Sequence, residues 1–141
     1  MITVQLYKKG DWAKIKDSTE PFMPIREKSE FDEIAARGIA VTATENDKAM
    51  ACGGVAFLNE HEGTVWVKMS KDCAKRPVMW ARAIKETFGL MVESAGNVKI
   101  TTYILENFCK GEKLARLIGL KKTDETAEHN GNTYNKYTVV I

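Results

Sequence analysis

A chain of 141 residues with 21 basic and 19 acidic side chains carries a formal net charge of +2, so charge alone calls for neither a specific nucleic acid nor a membrane as partner. That length suits one domain, residues 1–141, with a core of its own. No apolar run approaches the roughly 20 residues that cross a bilayer, and Met1-Ile2-Thr3-Val4 lacks the layout of a signal peptide, so a cytoplasmic location is expected.

Residues 2–7 alternate apolar with polar side chains and predict a half-buried strand. Asp11 then caps a short helix through Lys16, with Trp12 and Ile15 on its inner face. Pro21 and Pro24 make residues 19–26 an extended or turning connection. Ser29 and Asp32 resemble a capping box for a helix that carries Phe31, Ile34 and Ala35 and stops at Gly38. Residues 39–44 and 49–58 read as antiparallel strands joined at Asn46-Asp47, and Gly53-Gly54 predicts a bulge or a close backbone approach.

After a polar corner at residues 59–63, a strand at 64–69 feeds a basic loop, 70–76, and Pro77 opens a long helix. Trp80, Ala83, Ile84, Thr87, Phe88, Met91 and Ala95 recur every three or four residues and give that helix its apolar face, which ends at Gly96-Asn97. A loop with cations ahead of a helix start gathers positive charge and unpaired N–H groups, which suits a phosphate. Residues 98–105 predict an interior strand, 107–118 a helix closed by Gly119, and 120–128 with 133–141 a hairpin turning at Asn130-Gly131.

The order is strand, two helices, three strands, helix, strand, helix, two strands. It resembles the GNAT superfamily of acetyl-CoA-dependent N-acetyltransferases over nearly the whole chain. The residues that carry the resemblance are Gly53-Gly54-Val55-Ala56, the Val65-Trp66-Val67 strand before a helix begun by Pro77, and the stretch from Asn107 to Gly119-Leu120. More narrowly, the chain looks like short GNAT-like proteins of tailed bacteriophages, of the internal virion or assembly type. The resemblance implies an α/β (α+β) fold with about seven strands in a mixed central sheet and helices on both faces.

It also implies a function: transfer of an acetyl group from acetyl-CoA to an amine of a protein or small molecule, with no metal. Acetyl-CoA would lie where the 64–69 and 98–105 strands part, with the backbone of Val65, Val67 and Met69 along its pantetheine. The family's phosphate loop is glycine-rich, but residues 70–76 contain no glycine. Lys71, Lys75 and Arg76 would supply charge in place of backbone dipoles, with Asn107 completing the site. Aligning Leu114 and Gly119 puts Ala115 where the family has its general-acid Tyr. Tyr103, Tyr134 and Tyr137 are the substitute acids, and Glu106 is the candidate base. The alternative is a catalytically inactive GNAT-fold phage protein that works in virion assembly or protein–protein interaction, in the host cytoplasm or the virion, with a phage or host protein as partner.

Each candidate has a plainer role beside it. Glu106 suits the approach to a helix N-terminus, tyrosines are common in strands, and a basic run is often a solvated surface. Trp12, Trp66 and Trp80 read as core. The three cysteines fit neither a disulfide framework nor a zinc motif. Cys73, in the basic loop, is expected to be the most thiolate-like of them, and Cys109 lies near a helix start.

Overall fold

In the computed structural model, which describes residues 2–22 and 31–140, the elements run β1 (Ile2–Leu6), α1 (Asp11–Lys14), β2 (Ser18–Phe22), α2 (Phe31–Ala36), β3 (Gly38–Glu45), β4 (Lys48–Phe57), β5 (Glu62–Ser70), α3 (Pro77–Ala95), β6 (Lys99–Leu105), α4 (Cys109–Leu117), β7 (Lys121–His129) and β8 (Asn132–Val140). Seven of the strands form a sheet in the order β1-β3-β4-β5-β6-β8-β7, and β2 pairs with β5 off that path. All neighbours are antiparallel except β5 and β6. The right-handed crossover rule for parallel strands gives α3 its place: it must pass over one face of the sheet to bring β6 beside β5.

Alternation along each strand divides the core in two. Val65, Val67, Ile100 and Ile104 face α3 and α4 and pack with Phe88, Met91, Leu114 and Ala115. Trp66, Cys52, Ala56 and Ala40 face the other way and pack with Trp12 of α1, with Ile15 just after it, and with Ile34 and Ala35 of α2. Trp12, Trp66 and Trp80 are all buried, as core residues. α3 keeps the bounds its periodicity predicts.

Both tight hairpins use positive φ: Asn46 and Asp47 at 52° and 62°, Asn130 and Gly131 at 50° and 79°. These mirror-image turns match the twist of the strands they join.

Gly53-Gly54 marks a close approach of backbones. A Cβ on Gly54 would stand 2.1 Å from the Ile39 carbonyl oxygen, and one on Gly53 would stand 2.5 Å from that of Trp66. The register shift falls instead between Ala43 and Thr44 of β3.

Two expectations need correction. Residues 18–22, read mostly as connection, form a strand, because the pairing that makes them one lies on β5 and not nearby in the chain. Residues 71–75, read as loop, wind into a 3-10 turn capped by the Ser70 hydroxyl, which accepts from the Asp72 N–H at 3.2 Å. Ser29 of the expected capping box and residues 23–26 of the expected connection lie outside the described residues.

At the sheet's two rims the chemistry differs. β1 is outermost on one side, with Val4 and Leu6 exposed, and β7 is outermost on the other, carrying Lys121, Lys122, Asp124, Glu125 and Glu128.

Asp11 ties α1 to the sheet. Its carboxylate accepts from the Thr42 hydroxyl at 2.7 Å and the Lys8 N–H at 2.9 Å, and pairs with Lys14 at 2.9 Å. Burial pushes this carboxyl up, yet those three partners together hold it below its ordinary value.

Gly54→Ala should lower stability by about 1–3 kcal/mol in urea denaturation, since backbone rather than a flexible side chain must give way. A carboxyl lowered on folding contributes stability above its unfolded pKa of 3.8 and loses it as pH falls through the folded value. Acid titration of stability should therefore be shallower in Asp11→Asn than in the wild type below about pH 4.

Candidate functional site

The one parallel pair in the sheet is short. β5 and β6 pair from Glu62/Lys99 to Thr64/Thr101 and no further. Beyond that point the Thr102 hydroxyl donates to the Val65 carbonyl at 2.8 Å, which marks the apex of a fork opening toward the C-terminal ends of both strands. Ligands in sheets with parallel strands collect at that end. α3 begins just past the end of β5, and α4 begins past the end of β6.

A strand of the protein itself lies in the fork. β2 runs antiparallel to β5 with Ser18 opposite Ser70, Thr19 opposite Met69 and Phe22 opposite Val67. Val67 and Met69 already pair with Gly53 and Ala51 of β4 on one edge, so β2 must use the edge turned toward β6. It also lies against β6 and α4. The edge of Val65, Val67 and Met69 expected to run along a cofactor is thus engaged by Thr102 and β2. The physical reason is plain: backbone groups left over where strands part need partners, and the chain supplies its own.

The cationic turn is engaged as well. The Lys71 N–H donates to the Asp17 carbonyl at 2.9 Å and its ammonium pairs with the Asp17 carboxylate at 3.3 Å. Lys75 pairs with Asp72 at 3.4 Å, and Arg76 pairs with Glu45. The Asp72 N–H serves the Ser70 cap, the Arg76 N–H donates to the Cys73 carbonyl, and Pro77 has none to give. Few backbone dipoles remain here for a phosphate, so its attraction would rest on side-chain charge. Lys71, Lys75 and Arg76 all expose a large part of their side chains, which leaves them able to exchange partners.

The remaining candidates spread around the fork. Tyr137 is opposite Thr102 in the β6–β8 register and so shares the α3/α4 face with it. It is 1% exposed, and its hydroxyl has no hydrogen-bond partner among the described residues. Burial raises its pKa, Glu112 raises it further and Arg116 partly offsets them, so the phenol is neutral and keeps its proton. Tyr103 is half-buried and alternates to the opposite face, while Tyr134 is buried at the far end of the same pairing. Glu106 is exposed just beyond β6, its N–H held by the Thr133 carbonyl, and Asn107 follows at φ 67°.

Cys73 requires a correction. It is buried, and desolvation pushes its thiol up to about 11, so it is no thiolate despite its basic neighbours. Cys109 is exposed at the first position of α4.

Two buried charges escaped sequence reasoning. Lys68, 7% exposed, donates to the Trp12 carbonyl at 2.7 Å and stands 4.5 Å from the centre of the Trp12 ring. Glu45 is buried with one oxygen on Arg76 and the other without a partner among the described residues. An acid ending a strand gives no sign of burial when its partner is 31 residues away.

An apolar pocket lies beneath α3, lined by Val41, Gly53, Val67, Ala83, Ile84 and Met91. It offers almost no polar group to orient a substrate, which sets it apart from the fork.

Arg76→Ala should lower stability by about 1–3 kcal/mol in urea denaturation, because it strands a buried carboxylate. Adding Glu45→Gln should restore part of the loss; a double variant no more stable than Arg76→Ala would show that Glu45 does not depend on Arg76.

No protein-family profile matches the chain, and no curated protein matches it. Solved structures do. An acetyltransferase from Streptococcus agalactiae superposes with a TM-score of 0.74 at 12% identity, covering 99% of this chain and 98% of that one. The ribosomal-protein-S18-alanine N-acetyltransferase of Escherichia coli gives a TM-score of 0.73 at 12% identity, covering 100% and 94%. A GNAT family acetyltransferase from Elizabethkingia anophelis, with acetyl-CoA bound, gives 0.68 at 13% identity, covering 99% and 98%. The mixed sheet, its forked parallel pair and the helices on its two faces are the fold of the GNAT-family acetyltransferases.

Proposed function

We propose that the chain is an N-acetyltransferase that takes acetyl-CoA into the fork between β5 and β6 and passes the acetyl group to an amine of a protein or small molecule. The fork carries this reading: two parallel strands part beside the start of α3, with a cationic turn at the mouth. A neighbour in fold holds acetyl-CoA, which supports the choice of cofactor.

The chemistry assigned to the residues is direct attack. The amine nitrogen bonds to the thioester carbon, the carbon–sulfur bond breaks, the amine proton leaves through water to Glu106, and the CoA thiolate takes a proton from Tyr137. Tyr137 suits the acid role better than Tyr103, because it neighbours Thr102 at the apex and its hydroxyl has no hydrogen-bond partner among the described residues. Lys71, Lys75 and Arg76 meet the pyrophosphate by exchanging their present carboxylate partners for it.

A second reading draws on three observations: β2 in the fork, the glycine-free turn, and Ala115, fully buried where the family's acid Tyr would be. It is a GNAT-fold protein without a cofactor that acts through protein contacts, as in bacteriophage virion assembly.

Calorimetric titration with acetyl-CoA and with CoA separates the two. The enzyme binds both with micromolar affinity, and Tyr137→Phe lowers acetyl transfer to a panel of peptide and small-molecule amines by about 100-fold while leaving that affinity unchanged. Absence of heat at millimolar ligand, both in the wild type and in Thr19→Pro, which loosens β2, sinks the enzyme reading, and co-purification of a virion protein then favours the second.

A further inference from the structure

β2 lies where the proposed cofactor must go. A pantetheine arm is a chain of amides, and it would pair with β5 as a strand does, through the same N–H and C=O groups of Val67 and Met69 that now face β2. The two occupants cannot share that edge.

The ladder that holds β2 is short. Three registered pairs join β2 to β5, a register shift interrupts them between Thr19 and Phe22, and Pro21 between those positions has no N–H to donate. Its entry is tied to the cationic turn by Asp17, which accepts from the Lys71 N–H through its carbonyl and pairs with the Lys71 ammonium through its carboxylate. Lifting β2 away would expose the edge of β5 and free both groups of Lys71 together. A pantetheine and a pyrophosphate would then find their sites in a single step.

We infer that β2 is a built-in competitor of acyl-CoA, holding the outer edge of β5 and the Lys71 cation until cofactor or a partner displaces it. This rests on the acetyl-CoA reading above. The device couples cofactor affinity to the stability of one strand: the more firmly β2 pairs, the more of the binding free energy is used to displace it.

The register supplies the test. Because the Lys71 N–H bonds to the Asp17 carbonyl, Asp17/Lys71 is a hydrogen-bonded pair and Ser18/Ser70, the next along, is a non-bonded one. In such a pair the Cα atoms are about 4.5 Å apart, within the span a disulfide bridges. Ser18→Cys with Ser70→Cys, in a Cys109→Ser background, locks β2 in place when oxidised and releases it when reduced. Thr19→Pro, at the next bonded pair, removes a ladder donor and loosens β2 throughout.

CoA titrated into each form should bind the reduced protein at least about tenfold more tightly than the oxidised one, and Thr19→Pro at least about tenfold more tightly than wild type. Equal affinity in the oxidised and reduced forms overturns the competitor while leaving the acetyl-CoA reading standing. CoA that binds none of the forms, Thr19→Pro included, overturns both. If Thr19→Pro does not fold, the oxidised and reduced forms of the one double variant decide the matter.

Discussion

The backbone of β5 must find hydrogen-bond partners along both edges, and the rest of the structure follows from how it does so. Buried N–H and C=O groups are expensive to leave alone. On one side β4 meets the demand along nearly the whole strand, and Gly53 and Gly54 let the backbones close in. On the other side β6 departs after three pairs, so the Thr102 hydroxyl and then β2 take over. A fork between parallel strands is thus a site of unmet bonding that something will fill. In this chain it is filled from within.

The same economy governs charge. Lys71, Lys75 and Arg76 form a basic run in the chain, but Asp17, Asp72 and Glu45 pair with them, Asp72 being shared with Lys48 at 3.0 Å. A patch that looks strongly positive when read along the chain is largely offset in space, with four cations on three carboxylates. Its pull on a phosphate depends on how readily those carboxylates give way, and it is weakest at Arg76, whose partner Glu45 is buried. Fold and site are separable in this sense: the sheet order and helix placement define an architecture, while the occupancy of the fork decides what the architecture can do.

Local signals were legible. The three- and four-residue spacing from Trp80 to Ala95 predicts α3 to its observed ends, and Asn46-Asp47 and Asn130-Gly131 predict turns whose positive φ values are there. The tryptophans fall in the core as expected. What was not legible depends on partners far along the chain. Nothing within Ser18-Thr19-Glu20-Pro21-Phe22 marks a strand, since its two-residue alternation is broken and its proline argues against one. Its pairing with β5 is a property of the assembled sheet. Likewise the basic neighbours of Cys73 suggest an acidic thiol, but its burial near the Met50 carbonyl reverses the direction. The resemblance located the fork by analogy and had no means of saying what occupies it.

The unlike rims of the sheet carry a last consequence. β7 presents charged side chains to water, which discourages another strand from docking there. β1 has no such guard: Leu6 is 75% exposed, and no described strand covers its outer side. Among the described strands β1 is thus the border left open to a further strand, and a single lysine at that leucine is the economical way to close it.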